Sequence, residues 1–216
     1  MRARERGLYT VYVTNGFMTP EALDMIGPWL DAWRVDVKGF SRESYSRLAH
    51  VNEWRGILEV AVRARQRWNM HVEVVTNIIP GLNDDDKQLE GIARWIASDL
   101  GDLTPWHVTR FFPMHRLKNT EPTPLDTIQR AIDIGRTAGL KFVYSGNVRG
   151  LGEDTVCYNC GQIVIRRMGY HAEVRGLRGS TCASCGAQLN IRTAEASDSG
   201  GTYTAEAELP PHAEGR

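Results

Sequence analysis

An alternation repeated five times leaves this chain few ways to fold. Short apolar, β-forming runs recur as "LYTVYVTN" (8–15), "AWRVDVK" (32–38), "HVEVVTNII" (71–79), "PWHVTRFF" (105–112) and "KFVYSGN" (141–147), and helical patterns separate them. Thr19 with Pro20 behind it opens one helix, as N-cap and first-turn residue. Ser41 is placed to cap "RESYSRLA", and Asp84 to cap "DDKQLEGIARWIASDL" with its acidic first turn. "EWRGILEVAVRARQRW" carries helical periodicity, and "PLDTIQRAIDIGRTAG" stops on Gly139. Strands that alternate with helices of this length pair in parallel, because a crossover helix returns the chain to the same end of the sheet. The crossovers are then right-handed. The expectation for residues 1–149 is an α/β unit built on a parallel sheet.

After Asn147 the pattern changes. "VRGLGEDTV" is a glycine-rich connection, and two CxxC pairs follow: Cys157 and Cys160 in "CYNCG", then Cys182 and Cys185 in "CASCG", with 21 residues between the pairs. In such a knuckle two thiolates approach one ion from a tight turn, which the trailing Gly161 or Gly186 lets close. Four thiolates in tetrahedral array suit a structural Zn²⁺ with no open position for chemistry. Mononuclear iron of the rubredoxin kind and a redox dithiol are the other readings. A ribbon this small buries too little surface to fold alone, and metal binding contributes about 10–16 kcal/mol to such units. The expected organisation is therefore 1–149, a four-cysteine zinc-ribbon-like module over 150–192, and a disordered tail over 193–216. The tail, "AEASDSGGTYTAEAELPPHAEGR", is too poor in large apolar residues to order itself.

Composition narrows the rest. The 26 basic and 26 acidic residues cancel, so no global field recruits nucleic acid or an anionic membrane. No apolar run approaches the roughly 18 residues of a membrane span. The start, "MRARERGLYTVYVTNG", has no signal-peptide core. Placing all four cysteines in CxxC pairs fits a reducing compartment, so a cytoplasmic protein is expected.

In parallel α/β barrels, function gathers where strands end. Here the ends are polar: Thr14, Asn15 and Gly16; Asp36 and Lys38; Thr76 and Asn77; Arg110 and, past Pro113, His115; Ser145 and Asn147. Each has a plain structural reading. "TNG" makes a turn, Asp36 and Lys38 can be a surface ion pair, "IPGLND" can be a loop running into a helix cap, and His115 can be a satisfied structural histidine. What favours function is their convergence on one rim. A carboxylate such as Asp36 can bind a ribose diol, and an ammonium such as Lys38 can hold a carboxylate.

"VTNGFMTPEALDMIGPWLDAWRVDVKGF", "VVTNIIPGLNDD", "LTPWHVTRFFPMHRL" and "GLKFVYSGNV", followed by the paired-CxxC ribbon, resemble the AmmeMemoRadiSam-system radical S-adenosylmethionine enzymes, relatives of the pyruvate formate-lyase activating enzymes. The resemblance runs from about Gly7 to Ile191. It implies a partial (β/α)₆ barrel of the radical SAM type, here incomplete and followed by a zinc-ribbon or rubredoxin-like module. It also implies S-adenosylmethionine as cofactor, bound to a [4Fe–4S] cluster and cleaved reductively to a 5′-deoxyadenosyl radical. By matched positions Asp36 would contact the ribose, Lys38 the methionyl carboxylate, Thr14 and Asn15 the methionyl group, and His115 the ribose again. AMMECR-like and Memo-like proteins are the partners the family suggests.

One departure matters. The family holds its cluster with a CxxxCxxC loop after the first strand, and a "GGE"-like segment ends the second; neither is present. The expectation is a C-terminal portion, inactive alone, whose cluster thiolates come from a further segment or chain. The competing expectation is a non-catalytic binding or assembly module on an α/β scaffold. A hydrolase or lyase at the same rim lacks a visible nucleophile–base pair.

Overall fold

The computed structural model describes residues 2–148, 150–169 and 171–192; the expected tail, 193–216, lies outside them. All five runs form strands: β1 Val11–Thr14, β2 Ala32–Asp36, β3 His71–Ile78, β4 Trp106–Arg110 and β5 Val143–Gly146. They make one sheet in the order β1-β2-β3-β4-β5, every pair parallel. Sequential order is how an open (β/α) barrel is wound, as opposed to a doubly wound sheet, whose order reverses at a switch point.

The helices are α1 Arg2–Glu5, α2 Pro20–Ile26, α3 Arg42–Ala49, α4 Arg55–Gln66, α5 Asp86–Trp95 and α6 Leu125–Thr137. Thr19 and Ser41 cap as their positions predict, accepting from the Ala22 and Ser44 N–H groups. The third cap differs by one residue. Asp85 caps α5 through the Gln88 N–H, while Asp84 accepts from the Gly81 N–H and closes the preceding turn. The helix also ends early, at Trp95, and passes into a π-turn over Ile96–Leu100. α2 is fixed to α4 by Asp24, whose carboxylate receives Arg63 at 2.9 and 2.5 Å and the Trp68 indole N–H at 2.9 Å.

Strand alternation sends Trp33, Val35, Val72, Val74, Trp106, Val108 and Val143 to one face, all buried. There they meet Leu58, Ala61, Ala64, Leu89, Ile92, Ile128 and Ala131 of the amphipathic helices in one core. The opposite face carries no helix layer among the described residues. It presents Arg34, Asp36, His71, Glu73, Asn77, His107, Thr109 and Tyr144 among the apolar Val11, Val13, Ala32 and Val75, a mixed set unlike the all-apolar strands of a sheet covered on both sides.

Beyond β5 come two small antiparallel sheets: β6 Thr155–Val156, β7 Ile163–Met168 and β8 His171–Val174 in one, β9 Leu177–Arg178 and β10 Thr181–Cys182 in the other. A second apolar cluster joins them to the large sheet, through Phe142, Cys157, Val164, Ile165, Cys182 and Leu189, with Leu103 and Tyr144 against it. Polar ties reinforce the junction: Tyr144 Oη to Thr155 Oγ1 at 3.0 Å, and the Asn190 amide to the Leu103 carbonyl at 3.1 Å.

Candidate ligand rim and four-cysteine site

β2 ends at Asp36, and Lys38 follows on the same helix-free face. Their side chains form an ion pair with Nζ 2.8 Å from Oδ2, about a third exposed on each side (31% and 37%). The Lys38 N–H donates to Tyr45 Oη at 3.3 Å. Behind the pair lies fully buried Asn83, whose Nδ2 donates to the Lys38 and Asn77 carbonyls at 2.9 Å each and whose Oδ1 accepts the Ile79 N–H at 2.6 Å. One carboxamide thus ties the ends of β2 and β3. In sequence this residue reads as part of an ordinary loop, and no periodicity marks it.

At β1 the turn is built from its own side chains. Thr14 Oγ1 accepts the Gly16 N–H and Asn15 Oδ1 accepts the Phe17 N–H, both at 3.0 Å. Gly16 has φ +74°, and a Cβ there would lie 2.6 Å from Ile57 Cγ2 and 2.8 Å from Val35 Cγ2. Glycine is required both by conformation and by space. Asn15 itself is exposed at the sheet's C-terminal edge.

Other strand-end candidates separate by face. Thr76 and Ser145 point to the helix layer: Thr76 is fully buried and accepts the Trp106 indole N–H at 3.0 Å, and the Ser145 hydroxyl bonds the Leu151 carbonyl. Both are structural, because even-odd alternation places them with the core residues. Arg110 spends its Nε on the Thr123 carbonyl at 2.8 Å and lies over the Phe112 ring, while Asn147 donates to the Arg110 carbonyl at 3.1 Å. Asn77 stays exposed on the helix-free face beside Thr109. His115 begins a 3₁₀ turn, His115–Leu117, on the loop after β4; it is exposed and has φ +48°. Asp36, Lys38 and Asn77 therefore share the helix-free face at the sheet's C-terminal edge; Thr14, in register with buried Val35, belongs to the helix-side row, Asn15 follows it in the turn, and His115 lies on an adjoining loop. A cleft of 330 Å³ lies elsewhere, between β5 and β6–β7, lined by Arg136, Lys141, Tyr144, Asp154 and Arg167.

A second polar group sits on the helix-free face. The Glu73 carboxylate lies between two imidazoles, with His71 Nε2 3.2 Å from Oε1 and His107 Nε2 3.2 Å from Oε2. His71 meets it in hydrogen-bonding geometry; the His107 nitrogen is buried and off the bond line. Burial pushes the Glu73 carboxyl up, but contacts from His107 and then His71 outweigh it and hold the group well below the usual carboxylate range. His107 stacks on Tyr144, ring centroids 5.2 Å apart. No motif or strand-end position singles out these residues in the sequence. The available signal is His, Glu and His at alternate positions of two strands that prove to be neighbours.

The cysteines converge. All four Sγ atoms lie within 4.8 Å of one another, with Cys157–Cys185 at 3.6 Å and Cys160–Cys182 at 3.7 Å. A tetrahedron with metal–sulfur bonds of about 2.3 Å has edges of about 3.8 Å, so these sulfurs can hold one ion. The two knuckles have the same build. In each, the N–H of the first cysteine donates to the carbonyl five residues on (Gln162, Ala187), and the glycine N–H donates back to the cysteine carbonyl. Gly161 and Gly186 have φ +74° and +72°. The Asn159 side chain and then the Ala187 N–H draw the Cys185 thiol down to about 6. At Cys160 the Gln162 N–H pulls the same way, but burial and the three neighbouring sulfurs prevail and push it up to about 12. Four crowded sulfurs cannot all ionise without a cation, and a bound metal ion removes that barrier. Cys157 and Cys182 are buried, while Cys160 and Cys185 are exposed, so an ion here would be covered on one side.

No protein-family profile matches the chain. Uncharacterized protein MJ0808 of Methanocaldococcus jannaschii is 35% identical over 192 residues, which are 88% of this chain and 56% of MJ0808. The chain thus spans little more than half the length of this relative. Two solved structures share its fold. One is a domain of pyruvate-formate lyase-activating enzyme from Bacteroides vulgatus (TM-score 0.56, 20% identity), with 68% of this chain and 86% of that one covered. The other is a radical SAM methyltransferase from Sphaerobacter thermophilus (TM-score 0.55, 17% identity), with 73% and 46% covered.

The residues differ in how well they suit the cofactors such enzymes use. An ion pair at the strand ends offers a carboxylate and an ammonium to a zwitterionic nucleoside. A [4Fe–4S] cluster does not fit, because the chain's four cysteines are all committed to the two knuckles. What the comparisons and the sheet establish together is the architecture: the chain has the α/β fold of radical SAM enzyme domains.

Proposed function

We propose that this chain is the C-terminal portion of a radical SAM enzyme of the AmmeMemoRadiSam type, which seats S-adenosylmethionine at its strand ends and depends on a further polypeptide for the cluster thiolates. The observation that carries this reading is the Asp36–Lys38 pair, fixed at the end of β2 on the open face. Asp36 accepts from the ribose hydroxyls and Lys38 holds the methionyl carboxylate; opening their mutual bond offsets part of the gain. Thr14 and Asn15 flank the methionyl group, and His115 closes on the ribose from its loop. Asn83 keeps the Lys38 backbone in place, so a residue just past β2 is held as firmly as the strand itself. When bound, S-adenosylmethionine supplies the sulfonium whose reductive cleavage gives a 5′-deoxyadenosyl radical. The four cysteines hold zinc, or iron in a rubredoxin-like site, as a structural element. AMMECR-like and Memo-like proteins are the proposed partners. No helix among the described residues is long and apolar enough to cross a membrane. The cytoplasm is the proposed location, since a reducing compartment keeps such thiols available.

Calorimetric titration with S-adenosylmethionine tests the seat. Asp36→Asn and Lys38→Ala each weaken binding about tenfold, the loss of one charged hydrogen-bonding partner. Unchanged affinity in both variants refutes the assignment. A second reading, a non-catalytic assembly module, draws on the four-cysteine site together with the lack of cluster thiolates. Zinc at one per chain, with no S-adenosylmethionine bound even after iron–sulfur reconstitution, selects it.

A further inference from the structure

We propose that His107 is an acid–base residue for a ligand seated on the helix-free face, with Glu73 and His71 as the positioning residues that hold its ring. The inference shares with the proposed function only the premise that a reacting molecule occupies this face. Asp36, Val75, His107 and Tyr144 lie in one register row across β2, β3, β4 and β5. At the usual strand spacing His107 is about 10 Å from Asp36, one ligand length along the same surface. The His107 side chain is 29% exposed, so a molecule on that face can reach it.

The arrangement is more than a structural ion pair needs. One imidazole would neutralise Glu73, yet two flank it. His71 Nδ1 and His107 Nε2 are buried with no hydrogen bond made, a cost that ordinary packing avoids. His107 Nε2 is within reach of Glu73 but misaligned, as catalytic contacts often are before a ligand tightens them. Tyr144 stacks on the ring and fixes its plane.

The ligand class follows from the chemistry. It carries a hydroxyl or amine hydrogen that must leave or return. If the ring proton sits on Nε2, 3.2 Å from Glu73 Oε2, and swings into line with it when a ligand binds, His107 takes the ligand's proton on Nδ1, and the ligand keeps the electron pair of the broken O–H or N–H bond. The resulting imidazolium is balanced by the carboxylate. Reversal returns the proton, and no electron changes owner.

Diethyl pyrocarbonate is the probe. Its ethoxycarbonyl group is transferred to an unprotonated imidazole nitrogen with release of ethanol and carbon dioxide, and peptide mass spectrometry reads each of the six histidines separately. At alkaline pH, where imidazoles are neutral, His107 reacts about tenfold faster than His71, and Glu73→Gln slows His107 by about three- to tenfold. The rate at exposed His50 stays unchanged in the variant. Equal rates at His107 and His71, or a His107 rate indifferent to Glu73→Gln, overturns the proposal. NMR of the acylated wild-type protein gives a readout that does not depend on the variant folding: attachment at Nδ1 supports the proposal, and attachment at Nε2 overturns it. Absence of S-adenosylmethionine binding, alongside a reactive Glu73-dependent His107, refutes the proposed function and leaves this inference standing.

Discussion

At β5 the large sheet ends against a second unit. Phe142 is buried among Cys157, Val164, Cys182 and Leu189, and Tyr144 is bonded to Thr155. At β1 the same sheet ends against solvent. Val11 and Val13 are 51% and 60% exposed, and Leu8, Tyr9 and Phe17 beside them are exposed too. Both edges carry apolar side chains, but among the described residues only one has something to bury them. An open, apolar edge strand is a template for another strand, and natural sheets rarely leave one bare. Exposure extends to Met25 and Trp29 on the helical side of that edge, so a cover for it would have the dimensions of a strand with its helix. The contrast marks where the fold is finished by its own residues and where, on the proposed reading, another segment completes it.

Metal removal gives the largest effect. If these cysteines hold an ion as proposed, a chelator removes a contribution of about 10–16 kcal/mol to the four-cysteine unit, and Cys182→Ser removes part of it. Because Phe142 shares its cluster, β5 amides lose hydrogen-exchange protection while β2 and β3 keep theirs. Uniform loss over the whole sheet, or none, breaks the contrast between the edges. Gly16→Ala tests the β1 side. Positive φ and the approach to Ile57 and Val35 predict a loss of about 1–3 kcal/mol in denaturant unfolding. A neutral result means the turn after β1 is free to relax.

Acid titration comes next. The Glu73 carboxyl is held below its ordinary value, so its contribution is fully present above about 4.5 and fades as pH falls below that point. Glu73→Gln therefore flattens the acid limb of the stability curve without steepening the alkaline one. Val13→Lys is the mildest change for the chain alone, within about 0.5 kcal/mol, because the residue is exposed. The same substitution abolishes strand addition at β1, read as loss of co-purification with a partner segment. A large destabilisation of the isolated chain contradicts the open-edge account.

Much of this is legible in the residues. Alternating β and α patterns specify the parallel sheet, since period and length leave few other topologies. Thr19 and Ser41 announce their helices by cap chemistry alone. Asp84 and Asp85 are chemically equal caps, and only the Gly81 turn decides between them. Cys157, Cys160, Cys182 and Cys185 are readable because ligand spacing is local. Asn83 and the Glu73 cluster are not, because their partners lie on other strands and meet through register, which no local pattern encodes. Thr76 and Ser145 mislead for a related reason: strand ends look alike in sequence until the face is known.

The decisive experiment is to assay 5′-deoxyadenosine release from this chain co-expressed with a polypeptide that carries a CxxxCxxC cluster loop. The account predicts a brown assembly that consumes S-adenosylmethionine and releases the nucleoside, while the chain by itself releases none and Asp36→Asn impairs the assembly. A cluster-loaded assembly that neither binds S-adenosylmethionine nor forms 5′-deoxyadenosine contradicts it, as does turnover by the isolated chain.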